Sequence, residues 1–423
     1  MDQAKPSAAR TYLDAVESDP LTMGWMVGAP PPADKRVAFA DGSSGRFPQT
    51  RWSFSHMSQL VPTATVARGG AVAPLPTALR DDLDAVRFAP MQPSGFGAAM
   101  TWRQSLDANY TDGILVLHKG RIVYERYFGA LKPDGKHIAF SVTKSFVGTL
   151  AAMLVADGRL DPDAPTASIL PELAASGFGN ASVRDLMDMR LGIEFSEDYT
   201  DPNAGVWNFA RAGGFLGKPA GYDGPASFYE FLPDVPQNGP HGAAFRYQTA
   251  ITEVLAWVVR RVTGLPLQDL ISQHFWSKLG MEHDAYLTVD STGTAFGGGG
   301  LNAALRDQAR FGEMMRNGGV ANGVRLVSAA AHADIVRGGD KAAFAATGPA
   351  TLAGASYRNM WWVHHNAHAA YSARGIHGQV IYIDPTAEMV IARFASHPLA
   401  GNFNFDPTSL PAYQAVADQL MRG

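Results

Sequence analysis

Along the chain, apolar and polar positions follow two rhythms. Gly113-Ile114-Leu115-Val116-Leu117-His118, the turn Lys119-Gly120 and Arg121-Ile122-Val123-Tyr124-Glu125-Arg126-Tyr127-Phe128 read as two strands of a hairpin. The run from Phe146 to Leu154 is apolar throughout and reads as a core helix. Helical spacing returns over Ser182–Met189, where Ser182 is placed as N-cap with Asp185 three residues on. It recurs over Tyr247–Thr263, where Leu255, Val258, Val259 and Val262 lie near helical spacing and Gly264 stops the helix. A further helix is expected over Ala303–Arg316, and a closing one from about Pro411 to Met421. Met360–His364, Gly375–Asp384 and Met389–Phe394 suit an antiparallel sheet.

Two stretches lack either rhythm. Residues 1–100 are rich in Pro, Gly and small residues and read as an irregular extension packed on the body, with short structure near Arg51-Trp52-Ser53-Phe54. Gly205–Gly242 is rich in Gly and Pro and reads as a surface loop over a site. Strands at both ends of a helical middle predict an α/β (α+β) protein. One domain, 101–155 with 296–423, carries an antiparallel sheet flanked by helices. A mostly helical domain, 156–295, is inserted into it, with an active site at the interface.

Composition removes whole classes of function. There is no cysteine, which excludes disulfides, thiolate metal sites and cysteine nucleophiles. A net charge of −4 with both signs scattered argues against nucleic-acid binding. No apolar run approaches membrane-spanning length, and Met1–Pro32 lacks the pattern of a secretory signal, so a cytoplasmic protein that meets no membrane is expected.

The chemistry concentrates at Phe140-Ser141-Val142-Thr143-Lys144-Ser145. Ser141 and Lys144 are three residues apart, so at the start of a helix they share a face. A hydroxyl is a poor nucleophile until a base takes its proton, and an amine kept neutral by desolvation is such a base. Other motifs fall away. Gly-x-Ser-x-Gly, His-Glu-x-x-His and the P-loop are absent. Phe296-Gly297-Gly298-Gly299-Gly300 lacks a following Lys-Ser or Lys-Thr and reads as a tight turn beside the cleft. His364, His365 and His368 have no nearby carboxylate in sequence and read as loop histidines, so no metal site is expected. A Ser-His-Asp triad through His377 stays open on the residues alone.

With Arg51-Trp52-Ser53-Phe54-Ser55-His56, Ser141-Val142-Thr143-Lys144-Ser145, Glu197-Asp198-Tyr199-Thr200-Asp201-Pro202, Val254-Leu255-Ala256-Trp257, Trp361-Trp362 and Gly375-Ile376-His377-Gly378-Gln379, the chain resembles the serine β-lactamase and penicillin-binding-protein superfamily. Within it the chain closely resembles the 6-aminohexanoate-dimer (nylon-oligomer) hydrolases. The resemblance implies a β-lactamase/transpeptidase-like fold and a serine hydrolase that needs no cofactor. It implies small amide or ester substrates and a homodimer. Ser141 would be the nucleophile and Lys144 its base. Tyr247, its phenol acidified by Lys144, would relay the proton, and the amides of Ser141 and Ile376 would form the oxyanion hole. Tyr199, Trp362, Ala210, Gly298 and His377 would face the substrate. Ala210 and Gly298 stand where some of these hydrolases have side chains that meet a substrate ammonium, and neither can pair with a cation. That makes a carboxylesterase with little amidase activity the first alternative. A β-lactamase or D,D-peptidase is the second. It is disfavoured because Ala373-Arg374-Gly375 stands where the penicillin-handling members have Lys-Thr-Gly.

Overall fold

A seven-stranded antiparallel sheet forms the frame on which the nucleophile helix is mounted. The structure is a computed structural model and describes residues 12–92 and 97–422. From one edge the strands run Ser356–Arg358, Trp361–Val363, Tyr371–Gly375, Gln379–Asp384, Met389–Ala395, Thr111–His118 and Arg121–Tyr127. The early hairpin therefore completes a sheet whose other strands come from the last seventy residues. Its seam is the antiparallel pairing of Met389–Ala395 with Thr111–His118.

The strands read as nearly continuous apolar runs because both faces are covered. Leu115, Leu117, Ile381, Ile383, Val390 and Ala392 face the main core. Ile114, Val116, Val380, Tyr382, Met389 and Ile391 face the other way, against Trp102 and Leu106 of one helix and Tyr413, Val416 and Leu420 of the closing helix. A smaller sheet, ordered Thr63–Val66, Ala285–Thr288, Leu301–Ala303 and His137–Ile138, leads directly into the Ser141 turn.

The helix Val142–Ala156 is buried along nearly its whole length, as its apolar sequence requires. Ser145 Oγ donates to Met360 O at 2.7 Å, and Trp361 Nε1 donates to Thr149 Oγ1 at 3.1 Å, which ties the helix to the sheet edge. Between these contacts a β-carbon on Gly148 would stand 2.0 Å from Asn359 O and 2.6 Å from Met360 Cβ. Alanine is the better helix former by about 1 kcal/mol, so the steric conflict sets the sign here. Gly148→Ala should lower the unfolding free energy by about 3 kcal/mol, the upper end of overpacking penalties. Urea melts of the two proteins would show it, and an unchanged or raised midpoint would refute the close approach.

Several expected elements shift. Gly205–Gly242 is not an open loop. It holds helices Gly205–Ala212 and Phe228–Phe231, the second capped by Ser227 accepting from the Glu230 amide. Val206, Phe209, Ala212 and Phe228 are buried there, so apolar anchoring overrides the high glycine and proline content. The helix expected from Ala303 starts at Leu305, because Leu301–Ala303 is a strand. The closing helix begins at Asp406 and carries Pro411 within it. The helices Val183–Met187, capped by Ser182, and Thr249–Thr263, ended at Gly264, lie where their patterns put them.

Candidate active site

Ser141 sits at the N-cap of its helix, after a backbone turn in which Phe140 has a φ of 44°. A non-glycine residue in that region is strained by about 1–3 kcal/mol. Packing holds it there. The Phe140 ring meets Phe54 at 4.9 Å, His377 at 5.5 Å and Phe215 at 6.0 Å, and its carbonyl accepts from Thr143 Oγ1 at 2.7 Å.

Lys144 is buried, and its Nζ has three neighbours: Ser141 Oγ at 2.9 Å, Thr249 Oγ1 at 3.0 Å and Gly298 O at 2.5 Å. Two of these can only accept from it. Gly298 O is a carbonyl, and Thr249 gives its own proton to Glu197 Oε1 at 2.6 Å. A neutral amine has two N–H donors and one lone pair, so the lone pair is left facing Ser141 Oγ. Burial pushes the Lys144 ammonium down to about 8, with Glu197 and Glu253 opposing the shift. A substantial fraction of the amine is thus free of its proton at mildly alkaline pH.

The groups behind the lysine are fixed in turn. Glu197 accepts from the Thr249 amide as well as its hydroxyl, and from Tyr199 Oη at 2.6 Å. Glu253, buried on the Thr249–Thr263 helix, accepts from the Gly298 amide at 3.1 Å, and burial pushes its carboxyl up to about 7. Gly298 thus contributes its backbone on both sides. A β-carbon there would meet Thr249 Cγ2 at 2.5 Å, so there is no room for a side chain.

Tyr247 corrects one expectation. Its phenol hydrogen-bonds to Ser141, but burial, reinforced by Glu197, holds it well above the ordinary phenol range rather than acidifying it. The ring stacks on Trp362 at 5.4 Å between centroids, and Lys144 Nζ lies 5.2 Å from its centre.

Residues 104–408 match the beta-lactamase family. The chain belongs to that family. It is 37% identical over 352 residues to the 6-aminohexanoate-dimer hydrolase of Paenarthrobacter ureafaciens, covering 83% of this chain and 86% of that one. Among solved structures it is similar to a "Putative 6-aminohexanoate-dimer hydrolase from Bacillus anthracis", with a TM-score of 0.83 and 31% identity over 93% of this chain and 99% of that one. It also shares its fold with EstCE1, a hydrolase with promiscuous acyltransferase activity, at a TM-score of 0.55 and 15% identity over 74% of this chain and 96% of that one. This beta-lactamase-family chain is a serine hydrolase with the family's fold.

In this family member Ile376 follows the strand Tyr371–Gly375. A β-carbon on Gly375 would stand 3.0 Å from Ser141 N, which brings that strand end against the nucleophile's amide. Neither the Ser141 nor the Ile376 amide is used by a turn, loop or cap hydrogen bond among the described residues. Ala210 lies on the helix Gly205–Ala212, half-buried.

His377 packs beside Phe140 and Phe54, and its Nδ1 is 2.6 Å from His397 O, so its ring nitrogens form no link from Ser141 to an acid. Burial pushes it down to about 4, which leaves it neutral. Arg374 is no free cation in the cleft. Its guanidinium pairs with Asp406 and lies 5.6 Å from the Trp362 ring centre.

The three clustered histidines have separate partners: His364 with Ser372 at 2.8 Å, His365 with Ser356 at 2.7 Å and His368 with Asp384 at 2.7 Å. The expectation that they lack a carboxylate fails for His368, whose partner comes from the neighbouring strand end. No group of three metal-binding side chains converges among the described residues.

Thr249, Glu197 and Glu253 are the residues that sequence reasoning passed over. Glu197 lies two residues before Tyr199 and Thr249 two residues after Tyr247, but nothing in the spacing joins them to Lys144.

Proposed function

We propose that this serine hydrolase opens amide or ester bonds of small linear acyl compounds through an ester on Ser141. The observation that carries the reading is the buried Lys144 amine, 2.9 Å from Ser141 Oγ and with its pKa pushed down to about 8.

Neutral Lys144 takes the proton of Ser141 as Oγ attacks the substrate carbonyl carbon. The carbonyl oxygen becomes an oxyanion, held by the amides of Ser141 and Ile376. When the tetrahedral centre collapses, Tyr247 gives its proton to the departing nitrogen or oxygen and takes one from the Lys144 ammonium. That leaves the acyl ester and a neutral amine. Water then attacks the ester with Lys144 as base, the acid leaves, and the proton returns to Ser141. The cleft lies between the sheet-bearing residues 101–155 with 296–423 and the mostly helical residues 156–295. Tyr199 and Trp362 wall it. A homodimer, as the resemblance implies, and a cytoplasmic location are part of the same proposal.

The esterase reading is kept as the second. Ala210 and Gly298 offer no side chain to an ammonium, and Gly298 has no space for one. β-Lactam turnover is disfavoured by the pairing of Arg374 with Asp406. The test is one plate with a p-nitrophenyl ester, the linear dimer of 6-aminohexanoate and nitrocefin. Hydrolysis of the ester, with or without the dimer and without nitrocefin, supports the reading. Nitrocefin turnover alone would overturn it.

The proton relay makes a separate prediction. p-Nitrophenolate departs without a proton, whereas an amine cannot. Tyr247→Phe should therefore reduce amide cleavage at least tenfold more than p-nitrophenyl ester cleavage, within the roughly 10²–10⁴-fold range of general-acid effects. Equal losses on the two substrates would rule out proton delivery by this phenol.

A further inference from the structure

Beside the Ser141 machinery opens a cavity of about 290 Å³ lined by Tyr199, Thr200, Pro202, Trp207, Arg211 and Leu216. It is joined to the catalytic groups from two sides. Tyr199 is tied through Glu197 and Thr249 to Lys144. Leu216 follows Phe215, whose ring meets Phe140, the residue before Ser141. The volume suits a short chain rather than a bulky ring system. Tyr199 and Trp207, edge to face at 5.8 Å, supply an aromatic wall.

The charge of this cavity is one-sided. Arg211 is its only ionised lining residue. Among the described residues the guanidinium has no carboxylate partner, and its one hydrogen bond is to the neutral Asn208 Oδ1 at 3.0 Å. The nearby acids are turned to their own backbone. Asp198 Oδ1 accepts from the Thr200 amide and hydroxyl, and Asp201 Oδ1 accepts from the Asn203 amide. Glu197 is taken up by Thr249 and Tyr199. A guanidinium so placed has donors left for a planar anion and nothing within the cavity to neutralise it.

We propose that Arg211 sets the substrate class, selecting linear acyl substrates whose end remote from the scissile carbonyl carries a carboxylate. This rests on the serine-hydrolase reading above and goes beyond it. The Tyr199–Trp207 wall takes the methylene chain and the guanidinium takes the terminal carboxylate in a two-pronged contact. Substrates ending in an ammonium are disfavoured, because the cation would face Arg211 instead of an acid.

The experiment compares three p-nitrophenyl esters with a common leaving group: the monoester of adipic acid, the ester of hexanoic acid and the ester of 6-aminohexanoic acid. Each is assayed with the full-length wild type, Arg211→Ala, Arg211→Lys and Arg211→Glu. Ratios of kcat/KM within each protein cancel differences in folded fraction. For the wild type the adipate monoester should exceed the hexanoate ester by about tenfold or more, the size of a charge-assisted contact, mostly through KM. The ratio should shrink as salt rises. It should fall towards one in Arg211→Ala, recover in part in Arg211→Lys and invert towards the aminohexanoate ester in Arg211→Glu. A wild-type ratio at or below one, or a ratio that Arg211→Glu leaves unchanged, overturns the assignment while the hydrolase reading stands. Failure to turn over any of the three, with no acyl adduct on Ser141, overturns the hydrolase reading and this inference with it.

Discussion

Ser141→Ala should lower kcat/KM on p-nitrophenyl acetate by about 10⁴ or more, the scale on which loss of a nucleophile removes covalent catalysis, and leave the melting temperature unmoved. The two halves of that expectation have different origins. The activity loss follows because the other hydroxyl beside the Lys144 amine has no proton to give it: Thr249 Oγ1, 3.0 Å from Nζ, is spent on Glu197 and receives rather than gives at Lys144. The unchanged stability follows because Lys144 keeps Thr249 and Gly298 as partners when the serine hydroxyl is gone. Mass spectrometry supplies the second readout, an acyl adduct mapped to Ser141 in the wild type and missing in the variant. Ester hydrolysis persisting at more than a few per cent would assign the nucleophile elsewhere.

Lys144→Ala should cost about 10²–10⁴-fold, and the pH profile is its sharper test. The working form of the base is the neutral amine, so the rate rises with pH as the ammonium loses its proton. Burial places that loss at about 8. Below it, kcat/KM on a neutral ester should fall tenfold per pH unit, and above it the profile should level. In Lys144→Ala the limb near 8 should vanish together with the rate. Lys144→Arg should not restore activity, because a guanidinium stays protonated throughout this range. A limb that survives in Lys144→Ala would belong to another group and would remove the lysine from the base role.

Much of this arrangement can be read from the chain because it is local. The hairpin, the apolar helix after Ser141 and the Gly264 stop depend on neighbours a few positions away, and all three lie where their patterns put them. The Ser141–Lys144 contact is itself a helical-turn relation. What the sequence hides is what distant segments do to one another. Thr249 and Gly298 reach Lys144 from positions 105 and 154 residues away, and no spacing rule links them. The direction of the Tyr247 shift escaped for the same reason. A cation nearby in the pattern suggested an acidified phenol, whereas enclosure by Trp362 and Tyr357 makes burial dominate. Glycine and proline misled over 205–242, because side chains from elsewhere supply the anchoring that those residues cannot. Arg211 drew no notice in the sequence, since a lone arginine after an alanine means nothing until a cavity is seen to open onto it.

The seam between Met389–Ala395 and Thr111–His118 has a temporal meaning. A ribosome releases the hairpin and the serine-bearing helix long before it makes the strand that closes the sheet against them, and the proposed second oxyanion donor, Ile376, also comes late. Until then the apolar helix has no sheet to lie on, and the nascent chain carries a hydroxyl and an amine with no enclosure to tune them. Catalytic competence in this enzyme is therefore acquired late in synthesis, once the strands that complete the sheet, with Ile376 between two of them, have been made.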